Sequence, residues 1–190
     1  VLTCLATSLT LNGSSTTAGV TYYWAASGGG RIVSGANTAT PTVDAAGTYT
    51  LTVTAPNGCS NTDVALVTLS QSAPNVNAGP DKVISCTSTT VTLSGSSTTP
   101  GVTYAWEATN GGRIVSGANT QSPVVDAAGT YRLTVTNPAN GCTASDLALV
   151  TTDASLPNGT AGPDKQLTCA VKSLNLSGSS TTPGVNYSWS

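Results

Sequence analysis

An all-β chain built from small sandwich domains in tandem is what this sequence predicts, on three observations. The stretch 101–142 repeats the text of 19–59 after about 82 residues, and a third copy opens at Gly184. Apolar residues recur with the two-residue period of a half-buried strand, and no helical stripe of useful length occurs. Gly, Asn, Asp and Pro interrupt the pattern about every ten residues, the spacing of a β-sandwich.

The period divides the 190 residues into a first unit at 1–72 that lacks its leader, a complete unit at 73–153, and the opening of a third at 154–190. Val1 falls opposite Val83 and Ser190 opposite Glu107, so the sequence is expected to be a window on a longer array. It contains no Met and no apolar run of the length that a bilayer span needs.

In the complete unit, 75–82 (NVNAGPDK) is rich in Pro, Gly and Asn and is expected to be a linker, with 158–165 (NGTAGPDK) as its counterpart. A short first strand is expected at 83–86 and a second at 90–94, with Val91 and Leu93 on one face and threonines on the other. The Ser/Thr-rich loop 95–101 leads into a strand at 102–107, where Val102, Tyr104 and Trp106 share one side. After the turn Asn110-Gly111-Gly112 come short strands at 113–116 and from Val124, the latter ended by the Ala-Ala-Gly turn at 127–129. Tyr131, Leu133 and Val135 then alternate with Thr130, Arg132, Thr134 and Thr136, the clearest two-residue period in the chain. The turn at 137–141 makes a hairpin to a last strand at 143–151.

About seven strands in this order, with a Trp on the third and a Tyr just after an Asp-x-x-Gly turn, specify an immunoglobulin-like sandwich. Trp24, Trp106 and Trp189 are then core residues, and Tyr49 and Tyr131 are corner residues whose rings are buried while their hydroxyls reach a backbone group. The cysteines depart from the antibody pattern, which would place one at Leu133. Cys4, Cys59, Cys86, Cys142 and Cys169 fall instead on the first strand and at the start of the last, and the absence of His and of close spacing argues against zinc. One disulfide per domain, Cys4–Cys59 and Cys86–Cys142, is the economical pairing, worth about 4 kcal/mol to a small core, with Cys169 bonded beyond Ser190. Buried free thiols are the alternative. Disulfides persist in oxidising surroundings, so the expected location is extracellular or at the cell surface.

Charged residues make up 7% of the chain and the net charge is −2, which excludes a nucleic-acid partner and a polybasic membrane anchor. With no His, and with Glu107 the only Glu and Ala25 at its place in the first unit, neither a catalytic residue nor a cofactor is expected, and the chain is not an enzyme. Asp81, Asp153 and Asp164 lie near the linkers, where calcium is conceivable, but without a DxD cluster they are expected to be turn aspartates and no metal site is assigned. Lys82 and Lys165 head their units and are expected to be exposed rather than joined to an Asn in an isopeptide bond. The last strands at 63–67 (DVALV) and 146–150 (DLALV) are apolar in both parities. Val64, Leu66, Leu147 and Leu149 are therefore candidate lateral contacts, the alternative being partial shielding by the first strand.

The string AGPDK at 78–82 before a Cys, Trp106, the block Gly111-Gly112-Arg113-Ile114-Val115-Ser116-Gly117, Ala128-Gly129-Thr130-Tyr131 and Asn140-Gly141-Cys142-Thr143-Ala144-Ser145-Asp146 resemble the PKD-like, immunoglobulin-like tandem repeats of very large Bacteroidetes cell-surface proteins. The resemblance covers both complete units. It implies an adhesin-type protein, exported by the type IX system and often associated with gliding motility, in which such repeats form spacers, stalks and shafts.

About 70% of positions match between 1–54 and 83–136, loops included, whereas a site specialised in one unit would have diverged. The expected function is a structural repeat of an extracellular fibre, stalk or adhesin shaft on a bacterial surface, its partners being neighbouring repeats and other copies of the chain in a filament. The alternative is a glycan- or surface-binding module acting by avidity along the array.

Overall fold

The computed structural model describes residues 1–190, and its strands fall into two sets that follow the sequence period. The first unit holds β1 (Leu2–Thr3), β2 (Leu9–Thr10), β3 (Thr21–Ser27), β4 (Ile32–Ser34), β5 (Thr42–Val43), β6 (Gly47–Thr54), β7 (Ser60–Val67) and β8 (Leu69–Ser70). The second holds β9 (Lys82–Ser85), β10 (Val91–Thr92), β11 (Thr103–Thr109), β12 (Ile114–Ser116), β13 (Val124–Val125), β14 (Gly129–Thr136) and β15 (Thr143–Asp153). Two sheets face each other in each unit: β3-β6-β7 and β2-β5-β4 in the first, β11-β14-β15-β9 and β10-β13-β12 in the second. The fold is all-β, as tandem immunoglobulin-like sandwiches.

The alternation in β14 decides its faces. Tyr131, Leu133 and Val135 are fully buried, while Arg132 points outward and donates to Glu107 at 2.6 Å from the register position opposite on β11. Trp106 and Trp24 plug the two cores, and each indole N–H donates to a loop carbonyl, Thr120 and Thr38, so that no polar atom is stranded. The tyrosine corners form as expected: the Tyr131 hydroxyl donates to the Ala127 carbonyl at 2.6 Å and accepts the Arg113 N–H at 2.8 Å, and Tyr49 does the same with Ala45 and Arg31. Beside each corner an Arg forks onto an Asp, Arg31 on Asp44 and Arg113 on Asp126. The expected strand at 90–94 is shorter than its pattern, but Leu93 is fully buried and its N–H still reaches the Pro123 carbonyl.

In the second unit the first strand runs parallel to the last, Lys82 opposite Val150 and Ser85 opposite Asp153. The first unit has the same arrangement in miniature, with β1 parallel to β8 and Thr3 opposite Ser70. On β15, Ala148 and Val150 enter the core and Leu147 and Leu149 face outward, as Val64 and Leu66 do on β7.

No strand follows β15; residues 154–190 carry a single bridge, Thr160 to Ser179. Trp189 is therefore a correction: it is 53% exposed rather than a core residue, because no second sheet stands opposite it.

Candidate functional site: the junction between the units

The chain leaves the first unit at β8 and does not cross to the second as a free linker. Residues 72–85 lie alongside 140–153 at one constant offset of 68 residues. The Asn140 carboxamide donates to the Ser72 carbonyl at 3.0 Å, the Asp146 carboxylate accepts the Ala78 N–H at 2.8 Å, and the Asp81 carboxylate accepts the Leu149 N–H at 2.8 Å. The stretch expected to be a linker is thus an extended segment held by side-chain clips ahead of β9. Ala78 is fully buried in the second core, and Gly79, at φ +81°, passes so close to the Ser94 carbonyl that a Cβ would lie 2.5 Å from it.

The repeated Ser/Thr loop holds the other side of this leader. The Asn75 side-chain oxygen accepts from the Ser97 hydroxyl and from the N–H groups of Thr98 and Thr99 at 2.8–3.1 Å, and Asn77 pairs with Ser96. Asn158 repeats the same cap on Thr181 and Thr182 in the third unit. Two of the aspartates weighed for calcium serve the backbone: Asp81 clips β15, and Asp153 accepts the Ser155 N–H, hydrogen bonds to Ser155 holding its carboxyl below the usual range. Lys165 donates to the Asn175 main-chain carbonyl.

In the first unit the equivalent place is an open cleft of about 650 Å³. Gly13, Ser14 and Thr17 line one side, Trp24 and Leu51 the floor, and Asp63 the other side, the positions that meet the leader in the second unit. It corresponds to the slot that holds the extended leader in the second unit.

The cysteines overturn one expectation. Cys4 is bonded to Cys142, across the two units, with Cα atoms 5.1 Å apart; Cys59, Cys86 and Cys169 are free and exposed. One disulfide within each domain is therefore wrong, and the register gives the reason. Cys4 follows Thr3, which pairs with Ser70, whereas Cys59 precedes β7. At about 3.3 Å per residue the intervening strand sets the two cysteines on the order of 35 Å apart, well beyond the reach of a disulfide. Cys86 and Cys142 are separated in the same way, at opposite ends of β15.

The cross-unit bond sits in a fitted contact. Cys4 donates its N–H to the Asn140 carbonyl at 3.0 Å, and Asn140 and Cys142 are buried at 5% and 2% exposure. Gly141 adopts φ +71°, and a Cβ on it would lie 2.0 Å from the Leu5 side chain, so only glycine permits this approach. The turn at 137–142 opens the pole where the chain enters the second unit, and it meets the pole where the chain leaves the first.

The candidate lateral residues do not join this junction. Val64 is 58%, Leu66 71%, Leu147 58% and Leu149 45% exposed, on the outer faces of the sheets. No helix is long and apolar enough to cross a membrane.

A family model described as a PKD-like domain matches residues 2–69 and again 71–152. Among curated proteins, the mouse dyslexia-associated protein KIAA0319-like protein is 31% identical over 161 residues, and the mouse KIAA0319 homolog 31% over 162. Each match covers 75% of this chain but 15% of the relative, so the chain spans about one seventh of their length. Among solved structures, the PKD domain of human KIAA0319 matches at 18% identity and a TM-score of 0.36, covering 48% of this chain and 87% of that one. Immunoglobulin domains 1–5 of Sidekick-1 match at 18% and 0.39, covering 84% and 40%.

Proposed function

Because the chain belongs to the PKD-like domain family, we propose that it is a structural repeat of an extracellular array, a stalk or adhesin shaft that holds other parts of its protein at a distance from a bacterial surface. The observation that carries this is the junction: two closely similar units meet pole to pole, locked by Asn140, Gly141 and a disulfide, while the second unit's loop holds the leader that joins them. A disulfide between units suits an oxidising compartment outside the cell. The low charge and the absence of a convergent polar site favour a scaffold over an enzyme. The sequence resemblance to Bacteroidetes surface repeats makes a type IX–exported adhesin the context we favour.

Small-angle scattering on the chain tests the shaft: a two-unit rod is expected, and units folded side by side would refute it. The second reading, a glycan-binding module, is favoured by Tyr23, which is 56% exposed and stands where the second unit has Ala105. Glycan-array binding lost on Tyr23→Ala would move the assignment there. The exposed row Val64, Leu66, Leu147 and Leu149 is proposed as the face along which copies of the chain bundle. Leu66→Thr with Leu149→Thr is expected to keep the melting temperature and abolish lateral association in sedimentation; unchanged association would sink the bundling idea.

A further inference from the structure

The three free cysteines are copies of the two that are bonded. Cys59 stands in the first unit where Cys142 stands in the second, and Cys86 and Cys169 stand where Cys4 does. Their surroundings are already shaped for the same bond. The turn before Cys59 repeats that before Cys142: Cys59 N–H donates to the Asn57 side chain at 3.1 Å and Cys142 N–H to the Asn140 side chain at 3.0 Å, with Gly58 and Gly141 both at positive φ. Two differences separate them, the first being that the turn before Cys142 is one residue longer, with Ala139 added. A Cβ on Gly58 would meet nothing within 4 Å, where one on Gly141 would strike Leu5.

The early cysteines also share one turn. Thr3 N–H donates to the Ala6 carbonyl at 2.9 Å, Ser85 to Ser88 at 3.0 Å and Thr168 to Val171 at 3.1 Å, each turn carrying its Cys at the tip. We propose that Cys86 and Cys59 are the open halves of the junction that Cys4–Cys142 closes. Cys86 takes the late cysteine of a following copy of the unit, and Cys59 takes the early cysteine of a preceding copy, so that every junction of an array carries a disulfide from unit to next unit. The occupant is another copy of this unit because the one filled junction joins two such copies, and the polar contacts there, the Asn140 carboxamide to the Ser72 carbonyl and the Cys4 N–H to the Asn140 carbonyl, use main-chain groups on the other side.

Each bond forms by thiol–disulfide exchange with an oxidant that is itself a disulfide, such as oxidised glutathione. One cysteine thiolate attacks it, releasing a thiol and leaving a mixed disulfide; the second cysteine displaces the other thiol. The pair loses two protons and two electrons, and the oxidant's sulfur–sulfur bond is reduced. The inference rests on the array proposal only in supposing that further units follow, and its readout is a thiol count rather than a shape or an adhesion.

The test is the full chain with 71–153 duplicated in place after Asp153, refolded in a glutathione redox buffer, alkylated and mapped without reduction. The parent has three free thiols, and the duplicated chain is expected to keep that number although it gains two cysteines, the original Cys86 now bonded to the inserted copy's Cys142. Cys86→Ser in the original copy is expected to raise the free-thiol count by one. The proposal is overturned if both added cysteines stay free, if the inserted copy's Cys86 bonds its own Cys142, or if Cys86→Ser lowers the count.

Discussion

Removing the disulfide by Cys4→Ser with Cys142→Ser is expected to change how the two units unfold as well as how stable they are. The bond closes a loop of 138 residues when both units are unfolded, worth about 5 kcal/mol in the chain-entropy model. When only one unit unfolds, Cys4 or Cys142 stays anchored on the folded neighbour and the closed loop is about 70 residues, worth about 4 kcal/mol. The first unit to unfold therefore meets most of the barrier, and the second meets only about 1 kcal/mol more. The bonded protein should melt as one cooperative transition, and the double variant as two. Because the bonded units melt together, about 5 kcal/mol is spread over about 150 residues, a fall of about 10–20 °C in melting temperature, and it should be seen in both units. Scanning calorimetry reads the number of transitions, and peptide-resolved hydrogen exchange assigns each to its unit. Destabilisation confined to the second unit, or a native peptide map with Cys4 bonded to Cys59, would refute the reasoning.

A synthetic peptide of residues 74–82 is expected to enter the cleft of the first unit and raise its melting temperature, and Asp63→Asn should weaken the effect; a shift seen only in the second unit would contradict the slot. In the disulfide-free background, Tyr131→Phe should cost the second unit roughly 2 kcal/mol by stranding the Arg113 N–H, and urea melts should leave the first unit unchanged. Asp44 is held below its ordinary value of 3.8, chiefly by the hydrogen bond from Arg31. Its stabilisation is then fully present above pH 3.8 and fades as pH falls through the lowered value, so melting temperature against pH should steepen below about 3.8, and Asp44→Asn should flatten that limb.

Much of this was legible in the sequence because each unit is a strand pattern with one buried face. The alternation at Tyr131, Leu133 and Val135, the plugs Trp24 and Trp106 and the tyrosine corners each follow from local periodicity and burial. The cysteine pairing was not legible. Which cysteine is near which depends on register, and a strand pairs equally well in several registers until its neighbours fix it. The leader was misjudged for a related reason. Its Pro, Gly and Asn read as linker chemistry, yet Asn75 and Gly79 serve close packing, through partners about 20 residues away at Ser94 and the loop of Ser97 to Thr99. Trp189 shows the converse: its neighbours match those of Trp106, but burial belongs to the completed sandwich and not to the local string.

The bond between Cys4 and Cys142 also sets the mechanics of the chain. A pull applied to Val1 and Ser190 passes from Cys4 straight to Cys142 through sulfur, so the residues between them bear no tension. At about 3.4 Å per extended residue, that withholds about 470 Å of contour from stretching while the bond is intact. The body of the first unit and most of the second then hang beside the line of force, and neither needs to resist it by its own hydrogen bonds. Reduction of that single bond places both units in the line of force, and the hidden length is then released only as each of them unfolds, so thiol chemistry decides whether the folding stability of the domains is tested at all.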